Sequence, residues 1–193
     1  MSTSTGQFVA ASDGHRWHFD AGSLALDFAY TGAMGNIAAG EQLHSPADLM
    51  AWLHDRFPEM DATATDRDLI DALALRQAIA RSAISISRGQ RPVGDDVDVI
   101  NLFAATPDIP PALAGGRRQA GRSHARASQA LSVMAREVIG LFATDRADRI
   151  RECSADDCHL VFYDESRSNN RRWCSMQRCG NRAKVRAHRA RLR

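Results

Sequence analysis

Four cysteines, all beyond residue 150 of a 193-residue chain, stand as Cys153-x4-Cys158 and Cys174-x4-Cys179, with fifteen residues between the pairs. A short gap lets one tight turn aim two sulfurs at a point, and a longer spacer carries the chain away and back with the second pair. The repeated gap points to one site. The pattern therefore predicts one structural Zn²⁺ per chain, held by Cys153, Cys158, Cys174 and Cys179, with no position left for water or substrate. Two other chemistries use the same residues: disulfide pairing, and a zinc that is lost on oxidation. No secretory leader precedes the cysteines, which favours a reducing compartment.

The segments around the cysteines must position them. Leu160-Val161-Phe162-Tyr163 is an apolar, strand-forming run, residues 164–170 are polar turn material, and Arg171-Arg172-Trp173 leads back to Cys174. This predicts a β-hairpin between two cysteine knuckles. After Gly180-Asn181 the chain is free of Gly and Pro and rich in Ala and Arg, so a helix should follow, with Cys179 at its positive end. The layout is treble-clef-like: knuckle, hairpin, knuckle, helix. His159 adjoins Cys158, but neighbours along a strand point to opposite faces, so it reads as a hairpin residue. Trp173 and Phe162 read as apolar cover for a small metal module, with stacking on nucleobases as the alternative.

Charge separates this end from the rest. Residues 167–193 carry ten Lys or Arg and no acid, whereas residues 1–166 carry fifteen basic and twenty-three acidic groups. The whole-chain net charge of +2 hides segments of about +10 and −8, and such segregation marks a polyanion-binding end. Lys184 is the only lysine. Guanidinium suits phosphate and guanine edges, although genome composition also favours arginine over lysine. On the expected helix Arg182, Arg186, Arg189 and Arg193 share a face, flanked by Lys184 and Arg191. The bland alternative is a solvated basic tail.

The upstream residues, in a chain that is 44% apolar, are enough for one medium-sized core, and no apolar run reaches the ~18 residues of a membrane span. Phe8 to Ala11 and Arg16 to Phe19 flank Asp13-Gly14, a hairpin signal. Ser23 caps a short helix carrying Leu24, Leu26 and Phe28, although the alternation also permits a strand. Ser45-Pro46 opens a helix with Leu49, Trp52 and Leu53 inward. Thr65 opens the longest helix, with Leu69, Ile70, Leu73, Ala80 and Ile84 expected on one side and Gly89 ending it. Val97, Ile100 and Phe103 make a shorter one. Gly115-Gly116 marks a hairpin or loop. Leu131, Met134, Val138, Leu141 and Phe142 give a clean helical period, and Asp145 is placed to cap a short helix running into Cys153. The fold class is α+β: a mainly helical N-terminal domain, residues 1–144, with a short β-hairpin, and a zinc finger with a basic helix, residues 145–193. A finger joined this closely has a restricted orientation.

Several stretches together resemble the CGNR zinc-finger proteins: Arg151-Glu152-Cys153, Asp156-Asp157-Cys158, Asp164 with Ser166-Arg167, Arg172-Trp173-Cys174-Ser175-Met176 and Cys179-Gly180-Asn181-Arg182-Ala183-Lys184. That family joins the finger to an upstream helical module called ABATE. Gly22-Ser23-Leu24-Ala25-Leu26-Asp27-Phe28, Ser45-Pro46-Ala47-Asp48-Leu49 and Leu73-Ala74-Leu75-Arg76-Gln77-Ala78 are similar to it. The resemblance implies a bacterial, stress-linked transcription regulator. One departure stands out: Tyr30 occupies the place where the family has Asn, so any role of that Asn is open here.

No catalytic constellation emerges. His15, His18, His44, His54 and His124 are scattered, and there is no phosphate loop or nucleophile elbow, so the chain is not expected to be an enzyme. The expected function is zinc-dependent DNA binding, in the cytoplasm at the nucleoid. Arg171, Arg172, Arg182, Lys184, Arg186 and Arg189 would supply the contacts. The upstream module is then a sensor or a dimerisation core, with a second copy and a small-molecule effector as further partners. RNA or ribosome association and a protein-interaction module are the alternatives.

Overall fold

The computed structural model describes residues 5–10, 16–34, 40–58, 60, 63–111, 125–143 and 145–192. The expected Asp13-Gly14 turn and the Gly115-Gly116 loop lie outside them. Two strands, β1 (Gln7–Ala10) and β2 (Arg16–Phe19), pair antiparallel, with Val9 and Trp17 paired and both buried. Helices α1 (Leu24–Ala29), α2 (Pro46–His54), α3 (Asp66–Ser87), α4 (Gly94–Ala104) and α5 (Ala127–Phe142) follow. A 3₁₀ turn (Ala147–Arg149) leads into β3 (Ile150–Glu152), which pairs antiparallel with β4 (Val161–Tyr163). A π-helical turn (Met176–Gly180) opens α6 (Asn181–Arg191). No helix among the described residues is long and apolar enough to cross a membrane.

The caps of α1, α2 and α3 are where the sequence placed them. Ser23 Oγ accepts from Leu26 N–H and Ser45 Oγ from Asp48 N–H. Thr65 and Asp68 form a reciprocal capping box, each side chain accepting from the other's backbone N–H. At the far end of α3, Gly89 donates to Ile86 and Gln90 to Ser85, the paired backbone bonds of a Schellman stop.

The long helix α3 is central, packing against α1, α2, α4, α5 and the β3–β4 hairpin. Its inward stripe differs from the expected one. Ala72, Leu75, Arg76, Ile79 and Ala83 are buried, whereas Ile70 is 60% exposed and Leu69, Leu73 and Ile84 are only partly covered. The helix turns Ile70 some 200° away from Ala72, and the neighbours pack on the face where Leu75 and Ile79 alternate with the small residues Ala72, Ala78, Ser82 and Ala83. Arg76 enters the core because Glu41 receives its guanidinium in a bidentate pair, Nη1 to Oε1 at 2.6 Å and Nη2 to Oε2 at 2.5 Å. That hydrogen bonding lowers the Glu41 carboxyl to about 2.

Helix α1 is buried along its whole length, Leu24 to Ala29. Besides Ser23, Glu137 from α5 caps it, accepting from Leu24 and Ala25 N–H at 3.3 and 2.7 Å. Asp27 is also fully buried, accepting from Gly6 N–H at 2.5 Å and Ala21 N–H at 3.4 Å. Burial outweighs those bonds and pushes its carboxyl up to about 7.

Two expectations for the finger are corrected. The strand partner of Val161–Tyr163 is Ile150–Glu152, ahead of the first cysteine, and residues 171–173 are not a strand. The first knuckle is thus the turn of the hairpin, and Cys153 N–H donates to Leu160 O at 2.8 Å across its base. Nor does Asp145 cap a helix into Cys153: the 3₁₀ turn starts after Arg146, and β3 intervenes.

Candidate metal centre and nucleic-acid interface

The four cysteine sulfurs lie within 4.8 Å of one another, and all four residues are buried. Cys158 and Cys174 Sγ are 3.7 Å apart, Cys174 and Cys179 Sγ 3.5 Å. Zinc–sulfur bonds of about 2.3 Å in a tetrahedron place sulfurs roughly 3.8 Å apart, so the donor set fits Zn²⁺ closely. As thiols Cys153, Cys158 and Cys174 conflict. Hydrogen bonding from Cys158 and Cys174 holds Cys153 far below the ordinary thiol value, and the same bonds raise Cys158 and Cys174. A dication at the centre resolves this, since all four can then ionise together. His159 is not in the cluster; its Nδ1 lies 2.6 Å from Glu152 Oε1.

Hairpin and turns aim the sulfurs. β3 and β4 bring Cys153 and Cys158 to the tip of one hairpin. The second pair is set by the π-helical turn, where Cys179 and Gly180 N–H both donate to Ser175 O at 3.1 Å. A Cβ on Gly180 would meet Met176 Sδ at 2.6 Å and Trp173 Cδ1 at 3.3 Å, so the absence of a side chain lets this turn close on Trp173. Between the knuckles, the buried Asp164 organises residues 164–171, accepting from Ser166 N–H at 2.9 Å and Arg171 N–H at 2.7 Å. Arg149 Nη1 donates to Asp164 O and Ser166 O, and Arg151 Nη2 to Asn169 O.

The finger does not hang from the helical module but is docked on it. The outer edge of β4 is covered: Tyr163 N–H donates to Ala21 O at 2.8 Å, and the Tyr30 hydroxyl bonds both backbone groups of Val161. Gly22 sits at φ +78 where any Cβ would strike Tyr163 O at 2.4 Å, so this contact needs glycine twice over. Arg178 lies 3.7 Å over the Trp17 ring, and Arg88 pairs with Glu152 at 3.3 Å. Leu160, Val161 and Phe162 belong to the same buried cluster as α1 and α3.

The predicted cationic residues fall into three groups. Arg171 faces inward: Nη2 donates to Asp20 O at 2.8 Å and Cys174 O at 2.6 Å, over the Phe162 ring at 4.1 Å. Burial lowers its pKa. It fastens finger to module. Arg182 is half-committed, forked onto Asp157 at 2.8 and 3.1 Å and reaching Cys179 Sγ at 3.2 Å. Arg172, Lys184, Arg186 and Arg189 are exposed, though Arg186 lies 3.8 Å from Asp156 and 3.5 Å from Asp157. Arg193, on the expected face, lies outside the described residues, as do His15 and His124. A groove of about 170 Å³ runs between the first knuckle and α6, lined among others by Ala155, Asp157, Trp173, Cys179, Arg182 and Arg186. Phe162 is wholly buried, as core cover should be, and Trp173 is half-buried on the groove wall.

Sequence reasoning missed Asp156 and Asp157 as partners of the α6 arginines, and Tyr30 and Arg178 as fasteners. The adjacent acids beside a cysteine were visible; what they faced was not.

A helical module carrying a four-cysteine knuckle-and-helix cluster defines a zinc-finger protein. Residues 22–145 match the ABATE family model, described as "Putative stress-induced transcription regulator", and residues 149–192 match the CGNR zinc finger. The chain belongs to the ABATE family, with a CGNR zinc finger following the module. None of the curated proteins searched matches it.

Proposed function

We propose that this zinc-binding regulator acts by binding duplex DNA through α6, in the cytoplasm at the nucleoid. The supporting observation is the state of that helix. Between Asn181 and Arg191 it has no buried residue and no acid, yet carries Arg182, Lys184, Arg186, His188, Arg189 and Arg191. A helix that adds nothing to the core and concentrates positive charge is suited to a groove lined with phosphates. Lys184, Arg186 and Arg189, with Arg172 on the adjoining turn, are the contacts this reading favours. Zinc is structural in it, and no catalytic step is involved. Stress-linked control through the helical module, by an effector or a second copy of the chain, is the regulatory part of the proposal.

The test is to sequence genomic DNA retained by the zinc-loaded full-length protein, with structured RNA and single strands compared at equal salt. Enrichment of a duplex sequence, with affinity falling steeply as salt rises, is the expected result. Preferential retention of structured RNA would replace DNA as the partner, and salt-insensitive association would remove nucleic acid altogether.

A further inference from the structure

Arg182 stands at the start of α6, three residues beyond Cys179, and its guanidinium bridges the two knuckles. Nη1 and Nη2 donate to Asp157 Oδ2 and Oδ1 at 2.8 and 3.1 Å, and Nη2 also reaches Cys179 Sγ at 3.2 Å. Asp157 belongs to the first knuckle, next to Cys158. Among the described contacts, Cys179 is the one sulfur that receives a cationic donor: Cys153 Sγ accepts from the Cys174 N–H at 3.4 Å, and Cys158 and Cys174 meet other sulfurs. Cys179 and Arg182 both line the groove beside α6, the cysteine wholly buried and the arginine partly exposed.

We propose that Arg182, oriented by Asp157, is a positioning residue of the zinc site that retains the metal by shielding the Cys179 thiolate. A charge-assisted hydrogen bond draws electron density from the sulfur, making it a weaker nucleophile. Attack of the sulfur on an electrophile is one route by which a zinc–thiolate bond is lost, and the hydrogen bond slows it. Asp157 fixes the guanidinium by a bidentate pair that leaves an Nη2 proton for the sulfur. This inference rests on the zinc reading and is independent of DNA.

The experiment uses the zinc-loaded full-length protein without nucleic acid, as wild type, Arg182→Gln, Asp157→Asn and Arg189→Gln. Zinc transfer to a chromophoric chelator is followed with and without iodoacetamide, and mass spectrometry after partial reaction identifies which cysteine is alkylated first. Arg182→Gln should release zinc about 10-fold faster or more, within the 10–100-fold range typical of losing such a supporting partner, and Cys179 should become the first cysteine alkylated. Asp157→Asn should move both readouts in the same direction. Arg189→Gln removes the same charge from an exposed position of the same helix, and should release zinc at the wild-type rate. Wild-type release from Arg182→Gln, or equal acceleration by Arg189→Gln, overturns the proposal. If Arg182→Gln fails to load zinc, Asp157→Asn decides: an unchanged alkylation order overturns the proposal, and a shift to Cys179 supports it.

Discussion

The Tyr30 hydroxyl donates to the Val161 carbonyl at 2.9 Å and accepts from the Val161 N–H at 2.7 Å, so one side chain at the end of α1 satisfies both outward backbone groups of a finger strand. Both residues are fully or almost fully buried, so no water can replace the hydroxyl. Burial also raises the Tyr30 pKa, keeping the phenol protonated and able to donate. Tyr30 is thus a bolt between module and finger.

Replacing Tyr30 with Phe keeps the ring and its edge-on contact with Phe19 but orphans two buried backbone groups. We expect a loss of about 3 kcal/mol, from the ~1–3 kcal/mol of each unsatisfied buried group. Urea unfolding of zinc-loaded protein measures it, and unchanged stability would show that the two hydrogen bonds contribute nothing net.

Metal removal should be felt beyond the finger. Because Leu160, Val161 and Phe162 share the cluster formed by α1 and α3, chelation or substitution of any of the four cysteines by Ser should lower the melting temperature of the whole chain, not of residues 145–193 alone. Calorimetry with zinc analysis is the check. One zinc per chain and a single transition are expected; an untouched upstream transition after zinc loss would separate the two parts.

The buried Asp27 carboxyl predicts a pH effect of definite sign. Its folded value is raised from 3.8 to about 7, so the folded state holds the proton more tightly than the unfolded chain. Its stabilising contribution is complete below about pH 4 and is lost as pH rises towards 7, on the order of 4 kcal/mol at 1.36 kcal/mol per unit. Asp27→Asn should flatten the difference between pH 4 and 7 relative to wild type. Glu41 has the opposite sign and a lower window: its contribution, present above about 4.5, is lost as pH falls towards 2. Parallel denaturation series for the two proteins would refute the Asp27 assignment if their slopes coincide.

The basic residues should separate by role. Arg186→Gln with Arg189→Gln should leave folding intact and reduce the salt slope of DNA binding by about 1.8, at roughly 0.9 per phosphate contact. Arg171→Gln should instead destabilise the docked finger, because two carbonyls and the Phe162 face lose their cation. Salt titrations and thermal melts run together test this, and Arg171→Gln melting as wild type would return that residue to the nucleic-acid face.

What was legible in the sequence depended on distance along the chain. The cysteine gaps, the Ser45 and Thr65 caps and the inward period of α5 are local signals, and each appears in the structure. The hairpin partner was misread because β3 is three residues, Ile150-Arg151-Glu152, too short to show alternation, whereas Arg171-Arg172-Trp173 sat conveniently on the far side of a turn. Ile70 was placed inward because hydrophobicity marked it, although the helix faces decided for Ala72 and Leu75. Tyr30 and Val161 are separated by 131 positions, and Arg171 and Asp20 by 151, so no window along the chain relates them. Arginine in a basic run reads as surface charge until the carbonyls it serves are seen.

Because α6 has no buried residue, its side chains owe nothing to the stability of the domain beyond the turn that holds Arg182. Substitutions at positions 184 to 191 should therefore carry little folding penalty, and on the DNA-binding proposal a designer wishing to redirect the protein would begin there, leaving the zinc site, the docked hairpin and the helical module untouched.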